Sequence, residues 1–197
     1  MGKFIPQDTF FKKAKKDGYR ARSAYKLKEI QERFHILKKG DNVLDLGCAP
    51  GSFLQVIAQI VGDKGTIAGI DLLPVASLPA KNIIVLKGDI RKIDIGGVLE
   101  EIGLPFFDAI TCDISPNLTG IREVDDRNME ELYQVIRKIV AVGLRRGGCF
   151  IIKLFFSEQL KGMTNDLKDI FAKVIVFKPT ASRSMSSEIY LICKNKG

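Results

Sequence analysis

The segment that most constrains the fold is residues 41–60, in which a short strand, a glycine turn and a helix follow one another. Three apolar residues surround Asp45 as in a buried strand, and residues 53–60 have the apolar pattern of a helix. This order is typical of the first crossover of a nucleotide-binding α/β sheet. A ligand is therefore expected above the carboxyl end of the strand, against the backbone N–H groups at which the helix begins.

Segments with the apolar periodicity of strands and of helices alternate along most of the chain. After the strand that begins near Val43, strands are predicted at residues 66–71, 82–86, 106–113, 149–154, 173–177 and 188–193, and helices at 20–34, 52–60, 95–102, 128–144 and 158–171. Alternation of this kind predicts an α/β, Rossmann-like fold with a mostly parallel seven-stranded sheet and helices on both faces.

The connections between these elements complete the fold prediction. Residues 178–187 are too few for a helical crossover, so the last two strands are expected to form an antiparallel hairpin at one edge of the sheet. Residues 118–127 have the composition of a surface loop. No repeat or low-complexity segment interrupts the pattern, so residues 1–197 are predicted to form a single domain.

The composition favours a globular protein of a reducing compartment. Hydrophobic residues make up 46% of the chain and charged residues 27%, an ordinary globular balance. No apolar run approaches about 18 residues, the length that a membrane span needs, and the N-terminus lacks the apolar core of a secretion signal. We expect a cytoplasmic location, or an organelle with its own ribosomes. The four cysteines stand far apart and His35 is the single histidine, so no metal site is predicted.

The positive charge of the chain is concentrated at its N-terminus. Residues 1–40 contain twelve basic and four acidic residues, whereas residues 41–197 contain 19 of each sign, so the net charge of +8 lies entirely in the first 40 residues. A neutral body with a basic segment predicts a polyanionic partner. Tyr19 and Tyr25 within that segment favour RNA, because aromatic rings stack on exposed bases. The alternative is a charged helix that is merely solvated.

Carboxylates follow three successive predicted strands, at Asp71, Asp89 and Asp113. The carboxyl ends of parallel strands form the ligand-binding edge of an open α/β sheet, and a carboxylate there accepts hydrogen bonds from a ribose diol. The alternative for each aspartate is a cap on the turn or helix that follows. Three such residues beside a glycine loop favour a nucleoside-containing cofactor.

The spacing of the glycine loop distinguishes between cofactors. Gly47 and Gly51 are four residues apart, so the loop lacks the GxGxxG pattern of dinucleotide sites and the Lys-Ser/Thr pair of a P-loop. An acidic rim also repels a pyrophosphate and suits a cationic ligand. S-adenosylmethionine has a sulfonium, an amino group, a ribose diol and an adenine that match these groups.

These motifs together resemble those of the FtsJ-type ribose 2′-O-methyltransferases of the heat-shock ribosomal RNA class. The segments that carry the resemblance follow the family order through nearly the whole chain: residues 23–27 (SAYKL), 45–53 (DLGCAPGSF), 71–74 (DLLP), 88–91 (GDIR), 112–117 (CDISPN), 150–155 (FIIKLF), 178–179 (KP) and 187–190 (SEIY). Two departures stand out. Ser52-Phe53 replaces the usual Gly-Trp pair, and Phe156-Ser157 replaces the usual Gln-Gly pair after Lys153.

The resemblance implies roles for particular residues. It implies a catalytic tetrad of Lys26, Asp113, Lys153 and Glu188. It also implies an S-adenosylmethionine site at Gly47, Pro50, Gly51, Ser52, Phe53, Asp71, Leu72, Asp89, Ile90 and Asp113.

The chemistry of ribose methylation is consistent with that tetrad. A ribose 2′-hydroxyl is a poor nucleophile and needs a base or an oriented acceptor. Neighbouring strand ends are expected to bring Lys153 to Asp113, so that Lys153 acts as base or hydroxyl positioner, with Glu188 orienting Lys153 or Lys26. Because the apolar residues of the predicted helix at 20–34 pack on the body, Lys26 is expected to point away from that packed face. The alternative for Lys153 and Asp113 is a salt bridge that joins two strands.

Several functions remain open at this point. The resemblance favours an enzyme that methylates a uridine ribose of large-subunit ribosomal RNA, acting on the RNA or the ribosomal subunit as a monomer without membrane contact. The alternatives are a tRNA anticodon-loop ribose methyltransferase and a non-catalytic RNA-binding assembly factor. An amino methyltransferase is disfavoured because Asn117 stands where such enzymes need a stacking aromatic.

Overall fold

The computed structural model describes residues 9–115, 119–182 and 186–197. In these residues the strands are β1 (Val43–Leu46), β2 (Ile67–Asp71), β3 (Ile83–Lys87), β4 (Phe107–Cys112), β5 (Leu144–Phe155), β6 (Phe171–Phe177) and β7 (Glu188–Lys196). The helices are α1 (Thr9–Lys16), α2 (Ser23–Phe34), α3 (Ser52–Val61), α4 (Ile95–Glu101), α5 (Arg122–Gly143) and α6 (Leu160–Ile170). A short 3₁₀ helix, Gly62–Lys64, follows α3.

The seven strands form one sheet in the order β3-β2-β1-β4-β5-β7-β6. Strands β1 to β5 are all parallel to one another, and β7 pairs antiparallel with both β5 and β6. The predicted mostly parallel sheet with an antiparallel edge hairpin is therefore confirmed. The order reverses at β1, so the carboxyl ends of β1 and β4 flank the crevice in which open α/β sheets bind ligands.

The strand side chains alternate between two hydrophobic clusters, one on each face of the sheet. On β1, Val43 packs in the cluster that α1, α2 and α3 cover, and Leu44 packs in the cluster that α4, α5 and α6 cover. On β5, Ile151 and Ile152 divide in the same way. This period of two is the geometry of a strand that is buried on both faces. The prediction of helices on both faces is confirmed.

Helix α5 begins earlier than its sequence pattern indicates. The expectation of a loop as far as residue 127 is wrong, because the helix starts at Arg122. The Asp125 carboxylate accepts hydrogen bonds from the backbone N–H groups of Thr119 (2.6 Å) and Gly120 (3.1 Å), which closes a turn directly before the helix. Acidic residues in the first helical turn also interact favourably with the helix dipole. Polar composition concealed this start, and residues 116–118 lie outside the described ranges.

Strand β5 also begins earlier than predicted, at Leu144 instead of residue 149. Phe107 of β4 pairs with Leu144, and the register then shifts before Ala109 pairs with Cys149. This irregularity accommodates Gly147, whose φ is 72°. Pairing with β4 therefore overrides the glycine signal that suggested a break.

The two tyrosines of the N-terminal segment belong to the core. Tyr19 and Tyr25 are 8% and 7% exposed, and their rings meet edge to face at a centroid distance of 5.7 Å. The Tyr19 hydroxyl donates to Gln59 (2.8 Å), and that of Tyr25 donates to Asp17 (2.7 Å). Burial and the Asp17 carboxylate raise the pKa of Tyr25 to about 12. The expectation that these rings stack on RNA bases is wrong.

The basic side chains of the same segment are mostly at the surface. Four exposed lysines lie on α1 and two follow α2, namely Lys12, Lys13, Lys15, Lys16, Lys38 and Lys39. Within the described ranges, no helix combines the length and the apolar composition that a bilayer crossing requires.

Candidate active site

A cavity of about 650 Å³ lies at the carboxyl ends of β1, β2, β3 and β4. This volume is within the range of small-molecule sites in proteins. Six of the ten residues predicted to bind a cofactor line it, namely Gly47, Asp71, Leu72, Asp89, Ile90 and Asp113. Asn128, Glu131 and Leu132 of α5 complete one wall. The sequence predicts this part of α5 as a helix, but no local signal indicates that it lies beside the strand ends.

Backbone contacts between β1 and β2 shape the floor of the cavity. Gly47 has a φ of 73°, and a side chain there would collide with Ile114, so both its conformation and its space require glycine. The Asp71 carboxylate accepts from the N–H groups of Ala49 (2.8 Å) and Leu73 (2.8 Å). These bonds fix the orientation of the carboxylate. A carboxylate has about four acceptor positions, so acceptor capacity remains for the hydroxyls of a ligand.

Asp89 after β3 is held by a neighbour in the sequence. The Arg91 guanidinium donates to both carboxylate oxygens, with nitrogen–oxygen distances of 2.7–3.0 Å. The Arg91 backbone N–H adds a further bond at 3.0 Å. The side-chain and backbone hydrogen bonds from Arg91 lower the pKa of Asp89 to about 2. Asp89 is therefore an oriented, ionised acceptor at the rim.

The other four predicted cofactor residues, Pro50, Gly51, Ser52 and Phe53, do not line the cavity. Pro50 and Gly51 form the turn before α3, where Gly51 has a φ of 106°, and Ser52 and Phe53 begin the helix, with Phe53 4% exposed in the core. The side-chain oxygen of Ser52 is buried and has no hydrogen-bond partner within the part of the chain that the structure describes. Their part in cofactor binding stays a prediction.

Arg20 ties this turn to two other segments, a role that the sequence did not indicate. Its guanidinium donates to the backbone carbonyls of Pro50 (2.8 Å), Ala76 (2.7 Å) and Ser77 (2.6 Å). Its own backbone N–H donates to the side chain of Gln55 on α3 (2.9 Å). One side chain thus joins the N-terminal segment, the glycine turn and the linker after β2. In the sequence, Arg20 is only one of the twelve basic residues among residues 1–40.

Asp45 lies beneath the cavity floor and is fully buried. Thr111 donates to its Oδ1 at 2.6 Å, whereas its Oδ2 has no partner among the described residues. Burial, opposed by the Thr111 bond and reinforced by the charges of Asp113 and Asp71, raises the pKa of Asp45 to about 8. Asp45 is therefore protonated at neutral pH in the folded chain.

Lys153 and Asp113 meet at the adjacent ends of β5 and β4, as predicted. The Lys153 Nζ lies 3.1 Å from the Asp113 Oδ1 and donates to the Asp113 backbone carbonyl at 2.7 Å. Lys153 is 7% exposed, whereas Asp113 is partly exposed and also lines the cavity. Asp113 is thus the residue that connects the cavity to the tetrad.

Lys26 and Glu188 form the second pair of the predicted tetrad. The Lys26 Nζ lies 2.5 Å from the Glu188 Oε1, which also accepts from Ser182 at 2.6 Å. Lys26 is 5% exposed, so the expectation that it points away from the packed face is wrong, and Glu188 orients Lys26. Burial alone would raise the pKa of Glu188. Hydrogen bonds from Lys26 and Ser182, with the charges of Lys26 and Lys153, outweigh burial and lower it.

Tyr190 links the two pairs and was given no role from the sequence. Its hydroxyl donates to the Asp113 Oδ1 at 2.6 Å, and the Lys26 Nζ lies 5.9 Å from the centre of its ring. Tyr190 is fully buried, and burial with the Asp113 charge raises its pKa well above the ordinary value. It therefore stays a neutral donor. Tyr190 lies two residues after Glu188 and therefore on the same face of β7, so the sequence alone could have indicated that it lies beside the tetrad.

No group of three or more His, Cys, Asp or Glu residues has the arrangement of a metal site within the described ranges. Cys48, Cys112, Cys149 and Cys193 are free thiols. Asn117, on which the argument against an amino methyltransferase depended, lies outside the described residues.

Sequence comparison places the chain beside ribosomal RNA methyltransferases. The model of the FtsJ-like methyltransferase family matches residues 19–196. The ribosomal RNA large subunit methyltransferase E of Bdellovibrio bacteriovorus is 37% identical over 194 residues, which is 98% of each chain. The protein of the same name from Methanococcus maripaludis is 40% identical over 187 residues, covering 95% of this chain and 72% of that one.

Structural comparison agrees with the sequence comparison. A crystal structure from Plasmodium falciparum, described as a ribosomal RNA methyltransferase, matches with a TM-score of 0.81 and 33% identity over 90% of this chain and 98% of that chain. Fibrillarin of Aeropyrum pernix, with bound S-adenosyl-L-methionine, matches with a TM-score of 0.59 at 18% identity, covering 87% of this chain and 73% of that chain. At that identity the likeness to fibrillarin shows the fold alone.

Proposed function

The chain belongs to the FtsJ-like methyltransferase family, and on that premise we propose that it transfers a methyl group from S-adenosylmethionine to a ribose 2′-hydroxyl of RNA. One observation carries the proposal. Asp113 lines the cavity with one part of its surface and, with the other, holds Lys153 and Tyr190. A cofactor in the cavity and a hydroxyl at Lys153 would therefore meet at a single residue.

The residues of the cavity fit S-adenosylmethionine. The Asp71 carboxylate is fixed by two backbone bonds and suits the ribose diol, and Asp89 with Ile90 suits the adenine. The acidic rim of Asp71, Asp89 and Asp113 suits the amino group and the sulfonium. When bound, the cofactor would supply a methyl group on a positively charged sulfur. The 2′-oxygen would take that methyl group in line as the carbon–sulfur bond breaks with its electron pair going to sulfur, and the hydroxyl proton would pass to solvent water.

Lys153 is proposed to hold the attacking hydroxyl. A lysine ammonium has three donors, and two of them are directed to the carbonyl and the carboxylate of Asp113. The third remains for the 2′-oxygen of the substrate. Tyr190 and Asp113 keep the amine in place, so Lys153 acts through position, which contributes to rate by orienting the nucleophile. Lys26, held by Glu188, is proposed as a second cation near the ribose that is methylated.

The substrate is proposed to be large-subunit ribosomal RNA, at a uridine ribose. The names of the relatives that share nearly the full length support the ribosomal RNA, and the resemblance noted above supports the uridine. Residues 1–40 supply the phosphate contacts and residues 41–197 the catalytic body, within a single domain. We retain a monomer without membrane contact, and a cytoplasmic location, as predictions.

Mapping of 2′-O-methyl sites in total RNA, with and without the protein, tests the proposal most directly. One new methylated ribose in large-subunit ribosomal RNA is expected. A site in a tRNA anticodon loop would replace ribosomal RNA by tRNA as the substrate. A calorimetric titration with S-adenosylmethionine then separates enzyme from assembly factor, because an assembly factor without turnover is expected to show no binding.

A further inference from the structure

Phe156 has an unusual position for a phenyl ring. It directly follows β5, three residues after Lys153, and 75% of its surface is exposed. No other large hydrophobic side chain in the described ranges is as exposed. Burial of a phenylalanine side chain is worth about 1.5–3 kcal/mol, so a ring left in water at a site edge is available for a partner.

The backbone at Phe156 is well ordered by its neighbours. Its N–H donates to the Ser187 carbonyl at 2.9 Å, and the preceding Phe155 pairs in register with Glu188. The backbone of Phe156 therefore continues the β5–β7 ladder by one residue, next to the strand ends that carry Lys153 and Glu188.

An exposed cation is held by the same segment that pairs with the Phe156 backbone. Lys178 is exposed, and its Nζ donates to the carbonyl of Ser186 (2.9 Å), the residue next to the one that holds Phe156. An exposed aromatic beside basic side chains is the arrangement with which proteins bind unpaired nucleotides, the ring on a base and the cation on the backbone. Tyr19 and Tyr25 are buried, so the N-terminal segment does not provide this surface through those two rings.

We propose that Phe156 is a stacking platform for the base of a nucleotide adjacent to the ribose that is methylated. The inference rests on the proposed function and adds a specificity-determining residue to it. A 2′-hydroxyl enters a buried catalytic cluster only from an unpaired nucleotide, whose neighbours then expose their base faces.

Phe156→Ala tests the proposal with Phe106→Ala as the matched control. Phe106 is also an exposed phenyl ring (48%), but it precedes β4 and so lies at the opposite end of the sheet. Binding of a fluorescein-labelled oligouridylate is expected to weaken about 5- to 100-fold in Phe156→Ala and to stay unchanged in Phe106→Ala. The same oligomer with abasic sugars should bind wild type and Phe156→Ala equally. A penalty that persists on the abasic oligomer would overturn the proposal.

A fluorescent reporter provides a second readout, because the chain contains no tryptophan. In Phe156→Trp the single indole is expected to retain binding and to lose emission when the oligouridylate is added, whereas Phe106→Trp keeps its emission. Equal responses of the two variants, or self-association through Phe156 detected by sedimentation, would overturn the proposal.

Measuring the transfer of labelled methyl groups to RNA distinguishes a failure of the stacking proposal from a failure of the proposed function. If the wild type methylates RNA ribose while Phe156→Ala binds and reacts normally, stacking fails and the proposed function stands. If the wild type transfers no methyl group to RNA, the proposed function fails, and quenching in Phe156→Trp would still support stacking on RNA.

Discussion

The cofactor rim and the catalytic cluster lie side by side at one edge of the sheet but are built differently. At the rim, Asp71 is held by backbone N–H groups and Asp89 by Arg91, two residues away. In the cluster, Asp113 meets Lys153 and Tyr190, which are 40 and 77 residues away. Lys26 and Glu188 come from opposite ends of the chain.

The two constructions have different consequences for stability. Asp71 and Asp89 are partly solvated and are held by hydrogen bonds from backbone N–H groups or from a neighbouring arginine, so each is expected to act mainly on ligand binding. Lys26, Glu188 and Lys153 are buried in ion pairs, so removal of one partner leaves an unpaired buried charge, which is strongly destabilising. Cofactor affinity is therefore expected to be separable from fold stability, whereas catalysis is not.

Lys153→Met is expected to have the largest effect, a loss of about 100-fold or more in the single-turnover rate of methyl transfer at saturating cofactor. The substitution removes the group that holds the hydroxyl and leaves Asp71 and Asp89 with all their hydrogen bonds, so the affinity for S-adenosylmethionine should change far less than the rate. Lys173→Ala, an exposed lysine on β6, is the control. A near-normal rate would reduce the Lys153–Asp113 pair to a structural salt bridge.

Glu188→Ala is expected to lower the free energy of unfolding by about 3–5 kcal/mol, because Lys26 would remain buried without its partner. The double variant Lys26→Met/Glu188→Leu should recover most of that loss. Urea unfolding measures both variants. Additive losses in the double variant would contradict the description of the cluster as a buried pair.

The same pair gives a signed pH dependence. The pKa of Glu188 is lowered in the folded state, so its stabilising contribution is present above the ordinary glutamate pKa of about 4.3 and is lost as the pH falls through the lowered value. The stability of Glu188→Gln should therefore fall less than that of the wild type between neutral and acidic pH.

Asp71→Ala is expected to weaken S-adenosylmethionine binding about tenfold, as loss of an oriented acceptor does, and to change the free energy of unfolding by less than about 1 kcal/mol. Calorimetry and urea unfolding measure the two effects on the same sample. A large loss of stability would show that the rim is as integral to the fold as the cluster.

Asp45→Asn tests the boundary between the two regions, because the charges of both Asp71 and Asp113 act on Asp45. The raised pKa of Asp45 means that its contribution is fully present below the ordinary aspartate pKa and is lost as the pH rises through about 8. From pH 5 to 8 the wild type should lose about 3–4 kcal/mol relative to Asp45→Asn, because each pH unit between the two pKa values is worth about 1.4 kcal/mol. If the stability of the wild type and that of Asp45→Asn changed equally with pH, Asp45 would not titrate between pH 5 and 8, and the prediction would be wrong.

Many residues of the rim and of the cluster could be predicted from the sequence, but for different physical reasons. Asp71, Asp89 and Gly47 were predicted at the cavity because strand ends and glycine turns are local signals. The resemblance supplied Lys26 and Glu188, whose pairing no spacing indicates. The structure gives their distance and burial but leaves their catalytic roles as proposals.

The failures have a common cause in tertiary contacts. Tyr19 and Tyr25 were placed at the surface because charged neighbours surround them in the sequence, yet their rings pack on each other and their hydroxyls find buried partners. Arg20 was counted as a charge, although three carbonyls from distant segments accept its hydrogen bonds. No local pattern encodes contacts of that kind.

The position of β7 between β5 and β6 has a consequence for the order in which the chain becomes an enzyme during translation. Residues as far as β6 leave the ribosome before Glu188 and Tyr190, while the parallel half of the sheet already has all its strands. The rim can therefore form on a nascent chain whose β5 still lacks a partner on one side. We expect insertion of the final strand to join β6 to the sheet and to bring Tyr190 to Asp113 and Glu188 to Lys26 at the same time, so that the cluster forms only when the sheet is complete.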